Sequence, residues 1–298
     1  MRTFANNIKT VLLLGALTAF ILVAGQMLGG TQGLTIALVF SAVMNFGMYF
    51  FSDRIALAAM QAQQVGPDHW LYQLVDRLSQ RAGLPTPRVY ISPQAAPNAF
   101  ATGRNPKHGA VCATEGILRV LDRNELAGVM AHEIAHLKHR DTLIQTVAVT
   151  LGAVISYLGY MFMFLGPSRD EEGESHPLAA VGGLLVLILG PIAAGLIQAA
   201  ISRQREYAAD TEGAAICGDP MYLASALEKI HAYAHQVPMT TSPAFNALMI
   251  AEPKNNFAGG IANLFSTHPP LEKRLHNLIG RESTGRSYSF GGRPSFGW

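Results

Sequence analysis

Four runs of the sequence, 11–29, 33–51, 143–165 and 178–202, contain no Asp, Glu, Lys or Arg. Each is close to the roughly twenty residues that cross the hydrocarbon core of a bilayer as an α-helix. In lipid every backbone polar group must find its partner within the segment, so these runs read as four transmembrane helices. Composition agrees: 49% of the residues are hydrophobic and only 14% are charged, poor in charge for a chain surrounded by water. A cleaved signal peptide is the alternative for the first run, which follows Arg2 and Lys9. Its apolar core is too long for that, no A-x-A site ends it, and a second run follows within a few residues. Pro191, inside the fourth run, is tolerated where neighbouring helices satisfy the freed carbonyl, and a kink is expected there.

The distribution of Lys and Arg sets the orientation. Residues 30–32 carry none, and the loop GPSRDEEGESHP, 166–177, carries only Arg169 against Asp170, Glu171, Glu172 and Glu174. All but one of the 22 basic residues therefore fall on the side that holds both termini and the large polar blocks, which is the cytoplasmic side. A formal net charge of +2, without a basic stripe interleaved with aromatics, argues against nucleic acid as a partner. Contact with anionic lipid headgroups is the simpler use of the excess. Cys112 and Cys217 form no C-x-x-C and lie in the cytoplasmic portions, so they are expected to be small core residues rather than a disulfide.

The chain divides into the first two spans (1–51), a polar block (52–142), a membrane hairpin (143–202), a second polar block (203–280) and a tail (281–298). The tail, RESTGRSYSFGGRPSFGW, is rich in Gly, Ser and Arg and is expected to be disordered. Neither polar block alone makes a comfortable enzyme domain, so the two are expected to fold together. The first opens with a helical pattern from His69 to Ala82. PRVYIS, NAFATGR and GAVCAT then read as short strands of a small antiparallel sheet. In DRNELAGVMAHEIAHLKHR, Asp122 can cap a helix and Glu125 can close a capping box. Leu126, Val129, Met130, Ile134 and Leu137 follow at helical spacing.

That helix carries HEIAH. At about 100° per residue His132 and His136 lie some 40° apart and one turn along the axis, so both imidazoles can approach one ion. Glu133 falls on the flank of the same face. This is the spacing that zinc hydrolysis needs: two nitrogen ligands, and a carboxylate beside the activated water that is not itself a ligand. His139 shares the face but stands about 10 Å up the axis from His132, and three collinear ligands make poor tetrahedral geometry. Glu206, in SRQREYAAD, is the better third ligand. Asp210, four residues on, can hydrogen-bond a ligand histidine and fix its tautomer. The HEIAH helix runs into the third span and the fourth span runs into the Glu206 helix. Antiparallel packing of those spans brings the three residues together just under the bilayer.

The order of two spans, HEIAH, two more spans, SRQREYAAD and STHPPLEKRL resembles the HtpX-type membrane zinc metallopeptidases, and more distantly the CAAX prenyl endopeptidases. The resemblance extends to about Gly280. It implies that His132, His136 and Glu206 bind one Zn2+ per subunit, that Glu133 is the general base and that Asp210 supports the site. PNAFATG resembles a substrate-aligning segment, which implies that Asn98, Ala99, Phe100 and Ala101 lie beside a bound peptide. His268 and Arg274, in STHPPLEKRL, match positions suited to stabilising an oxyanion.

The expectation is thus a mainly α membrane protein with four transmembrane helices and a cytoplasmic, gluzincin-like α+β protease part. It would be a zinc endopeptidase of a bacterial cytoplasmic (inner) membrane, with both termini and the active site cytoplasmic. The resemblance implies cleavage of cytoplasmic or juxtamembrane segments of misfolded membrane proteins, in quality control and stress response. A prenyl-protein processing protease shares the chemistry, but four spans look too few to enclose a lipid chamber. A non-catalytic scaffold or transporter with a metal site is the other alternative. Transporters place ionisable residues at mid-membrane, and none of these runs has one.

Overall fold

In the computed structural model, residues 2–149, 203–234 and 269–280 are described. The first helix, α1, spans Arg2–Ala59, broken at Gly30, which has a φ of +57°. Asn45 Nδ2 donates to Thr18 Oγ1 at 2.7 Å, although 27 residues separate the pair. A straight helix would hold residues so spaced about 40 Å apart, so the chain folds back at Gly30. The runs 11–29 and 33–51 are its two antiparallel limbs. Among the described residues one helical stretch, Gly30–Ala59, is long and apolar enough to cross a membrane. Val11, Leu12, Ile36, Val39, Phe40, Val43 and Phe46 are exposed on α1, an apolar surface that suits lipid far better than water.

The end of α1 is fastened to the polar part. Arg104 lies over the Phe50 ring at 5.2 Å, and Arg88 pairs with Asp53 at 2.7 Å.

Four strands follow: β1 (Gln63–Val65), β2 (Arg88–Ser92), β3 (Ala99–Thr102) and β4 (Ala110–Thr114). The sheet order is β1-β2-β4-β3. The sheet is mixed, a correction to the antiparallel sheet expected from the sequence: β1–β2 and β3–β4 are antiparallel, but β2–β4 is parallel, with Val89 opposite Val111. The reason is the order of insertion. β4 turns back from β3 and slots between β3 and β2. Because β2 and β3 run in opposite directions, a strand antiparallel to β3 must run along β2. Side chains alternate between two faces. Val89, Ala99, Ala101, Val111 and Ala113 join the main core, while Phe100, Ala110 and Cys112 pack with Leu57 and Met60 on the other side. Both cysteines are free and buried.

The helix α2 (Trp70–Ala82) is capped by His69, whose Nδ1 accepts from the Leu71 N–H, and stops at Gly83, with φ +71°. It buries Leu71, Val75, Leu78 and Ala82 along one stripe. After α3 (Glu115–Val120) comes α4 (Arg123–His139). Its expected capping box is present: Asp122 Oδ1 accepts from the Asn124 and Glu125 N–H groups, and Glu125 Oε2 accepts from the Asp122 N–H. α4 ends where Arg140 turns left-handed, with φ +57°. A new helical segment starts at residue 142.

Three helices close around α4: α5 (Arg203–Cys217), α6 (Pro220–Ala234) and α7 (Leu271–Ile279). The core holds Val129 and Ile134 of α4 together with Ala209 of α5 and Leu227 of α6, so the two polar blocks share one interior. Two glycines allow backbone-to-backbone contact. A Cβ on Gly213 of α5 would stand 2.8 Å from the His132 nitrogen, and one on Gly128 of α4 would stand 2.5 Å from the Leu223 nitrogen. The end of β3 is tied to the helix beginning at 142: Thr142 Oγ1 donates to the Gly103 carbonyl at 2.7 Å, and the Thr102 and Thr146 hydroxyls share a hydrogen bond of 2.9 Å. The rest of the third run, the acidic loop, the fourth run, His268 and the tail 281–298 lie outside the described residues.

Candidate metal centre

One helical turn places the His132 and His136 rings perpendicular to each other with centroids 4.7 Å apart. Their Nε2 atoms are 3.2 Å apart. α5 brings Glu206 in from the facing side, with Oε2 3.8 Å from His132 Nε2 and Oε1 3.5 Å from His136 Nε2. All three residues are buried, and their ligand atoms lie within 4.8 Å of one another. Nitrogen and oxygen ligands about 2.0–2.1 Å from one tetrahedral zinc stand roughly 3.3–3.4 Å apart, and the separations of 3.2, 3.5 and 3.8 Å lie around that spacing. His139 is not part of this cluster.

The outer nitrogens reinforce the fit. His132 Nδ1 is 2.9 Å from Asp210 Oδ1, and His136 Nδ1 is 3.4 Å from Asp141 Oδ2. Protons held on Nδ1 by those carboxylates leave both Nε2 lone pairs facing each other, an arrangement that needs a cation between them. Without metal a proton serves. Burial opposes the charge on His136, but the Glu206, Asp141 and Glu133 carboxylates outweigh it and raise its pKa to about 9. Burial drives His132 the other way, to about 4, against the pull of Asp210.

Glu133 is buried beside the cluster and takes a hydrogen bond from the Ala101 N–H. Burial, with the Glu206 charge adding to it, raises its pKa to about 8. The donor strand β3 is the edge of the sheet. The Thr114 N–H donates to the Asn98 carbonyl, and the Asn98 N–H donates to Thr114 Oγ1, both at 2.9 Å. With the period of two along a strand, the peptide groups of Phe100 and Thr102 also face β4, leaving those of Ala99 and Ala101 on the edge turned away from β4. The Phe100 side chain points to the far face of the sheet.

Arg274, on α7, reaches the site from behind. Its Nε donates to Asp210 Oδ2 at 2.9 Å and its Nη2 donates to Asp210 Oδ1 at 2.6 Å, with both residues buried. The structure thus gathers His132, Glu133, His136, Glu206, Asp210, Ala101 and Arg274. Asp141 joins them without having been singled out in the sequence. Its only signal there is an acid five residues past His136, beyond the end of the helix.

Residues 66–282, which include every residue of this cluster, match the model of "Peptidase family M48". The chain belongs to that family. The M48 assignment is carried along nearly its full length by curated relatives. It is 53% identical over 287 residues to "Protease HtpX homolog" of Paraburkholderia phytofirmans, covering 94% of this chain and 99% of the relative. The protein of the same description from Burkholderia multivorans is 50% identical over 286 residues, with the same two coverages. Among solved structures, Ste24p of S. mikatae aligns with a TM-score of 0.47 and 17% identity, over 92% of this chain and 65% of that one. As an M48 member the chain is a membrane-associated zinc metalloprotease, and its substrates are proteins.

Proposed function

We propose that this M48 protease hydrolyses cytoplasmic and juxtamembrane segments of misfolded membrane proteins, with His132, His136 and Glu206 holding the zinc and Glu133 acting as general base. The reading rests above all on one observation: the buried Glu133 accepts a hydrogen bond from the Ala101 N–H, on the edge of β3 turned away from β4, while its charge interacts with those of His136 and Glu206. The Ala101 N–H is engaged by Glu133, so an extended peptide laid along this edge pairs with the Ala99 peptide groups and the Ala101 carbonyl, main-chain hydrogen bonds that give affinity with little sequence preference. Asn98, pinned to Thr114, and Phe100, buried beneath the sheet, keep that edge straight.

Zinc, when bound, lowers the pKa of water towards about 7 and polarises the peptide carbonyl. Glu133 takes the proton of the attacking water and delivers it to the leaving amine. His268 supplies a further donor to the oxyanion in this reading. Arg274 acts on the reaction through Asp210, by holding the partner of His132. With four spans and both termini cytoplasmic, α4 and α5 hang from the same membrane hairpin, and the site faces segments next to the bilayer.

The test separates base from ligand. Glu133→Gln should bind one zinc per chain and lose proteolysis of an unfolded membrane protein by at least about a hundredfold. Glu206→Gln should lose most of the zinc as well. Undiminished turnover in Glu133→Gln would refute the assignment.

A further inference from the structure

We propose that Asp141 is a positioning residue for the metal centre, holding His136 as Asp210 holds His132, and tying that histidine to the start of α5; this rests on the ligand set proposed above. The geometry is set by the end of α4. Arg140 adopts the left-handed conformation and turns the chain back. The Asp141 N–H then donates to the carbonyl of His136 at 3.1 Å, and the side chain of Asp141 is swung beneath the ring of the same residue. Asp141 Oδ2 comes to 3.4 Å from His136 Nδ1. The other oxygen, Oδ1, faces Arg205 Nε at 4.0 Å.

Both Asp141 and His136 are buried, so the carboxylate is a fixed part of the interior. A side chain one methylene long reaches the ring from this turn. The contact fixes which imidazole nitrogen carries the proton and leaves Nε2 aimed at Glu206. The two ligand histidines are therefore supported from two different elements. Asp210 comes from α5, four residues after Glu206. Asp141 comes from the turn that separates α4 from the helix starting at 142. Through Arg205, next in sequence to Glu206, Asp141 also joins the two elements that carry the ligands.

The experiment uses the full chain in detergent, stripped of metal and titrated with zinc against a competing chelator. Asp141→Ala should weaken zinc binding by about ten- to a hundredfold. Asp141→Asn, whose amide oxygen accepts the same hydrogen bond, should recover most of that loss. Cobalt(II) in place of zinc should give an altered visible spectrum in Asp141→Ala and a near-normal one in Asp141→Asn, which a merely structural role would not produce. Melting of the metal-free variants shows whether either has lost its fold. Wild-type zinc affinity and cobalt spectrum in a folded Asp141→Ala, or failure of a folded Asp141→Asn to recover binding, would overturn the proposal alone. A wild-type chain that takes up no zinc would overturn it together with the proposed ligand set.

Discussion

The guanidinium of Arg274 lies along the carboxylate of Asp210 in a two-pronged hydrogen bond, and the same carboxylate stands 2.9 Å from His132 Nδ1. The contact joins α7 to α5 and, one residue further, to the HEIAH helix. Arg274→Met should cost about 3–5 kcal/mol, because it leaves the Asp210 charge buried without its partner. Arg274→Lys keeps the charge but loses the fork, so it should fold and bind zinc more weakly. Melting and zinc titration of the two variants measure this. Wild-type values for both would count against any contribution from the Arg274–Asp210 pair.

Metal-free protein should become less stable above neutral pH. Glu133 is raised from 4.5 to about 8, so its contribution is complete below the unfolded value and is lost as pH rises through about 8. His136, raised from 6.5 to about 9, loses its contribution as pH rises from 6.5 through about 9. His132, lowered to about 4, acts in the opposite sense and loses stability as pH falls from 6.5 through about 4. Between pH 4.5 and 6.5 Glu133 and His132 offset each other. The melting temperature of chelated protein should therefore be nearly level there and drop between pH 6.5 and 8. Zinc should shrink the drop, since His136 binds it deprotonated and the charge of the ion favours ionised Glu133. A melting temperature that climbs from pH 6.5 to 8 without metal would contradict this account.

Gly213 makes a third test. A methyl group there would press on the backbone of His132, at 2.8 Å from its nitrogen and 2.9 Å from its Cα, and main chain cannot rotate aside. Gly213→Ala should push α5 away from α4 and carry Glu206 with it. Zinc affinity should fall at least about tenfold, with a loss of stability of roughly 1–3 kcal/mol. Gly15→Ala, where nothing lies within 4 Å, is the control and should be silent.

The basic-residue asymmetry predicts the topology. In a chain whose two native cysteines are replaced by Ala, a cysteine at Gly173 should react with an impermeant reagent added outside intact cells. One at Gly280 should react only after lysis. The reverse pattern would put the site on the other side of the membrane.

Much of the architecture was legible because its signals are local. The α2 stripe, the Asp122–Glu125 box and the HEIAH face each arise within a few turns of one helix. Three of the four strands were visible as short runs bounded by Pro and Gly. β1 was missed because three residues, Gln63–Val65, carry no period. The parallel pairing of β2 with β4 was missed because it depends on which strand inserts between the other two, and no strand encodes that by itself. Asp141 escaped notice for a related reason: it lies in the turn after the helix, where helical spacing no longer says what a side chain can reach. The resemblance matches Arg274 to a position suited to stabilising an oxyanion, and says nothing of its carboxylate partner. Arg274 stands against Asp210, a contact made only when α7 returns across 64 residues of chain.

That span of sequence has a consequence for the making of the enzyme. A growing chain acquires HEIAH early, Glu206 and Asp210 only after the next pair of charge-free runs, and Arg274 last. At about 5–20 residues per second, translation takes roughly 3 to 13 s to go from Asp210 to Arg274. Until then the carboxylate meant to hold His132 lacks its buried counter-charge. Order of synthesis thus sets an order of assembly: both histidines and Glu206 are made before the arginine that braces the partner of His132, so the support of the site is completed after its ligands.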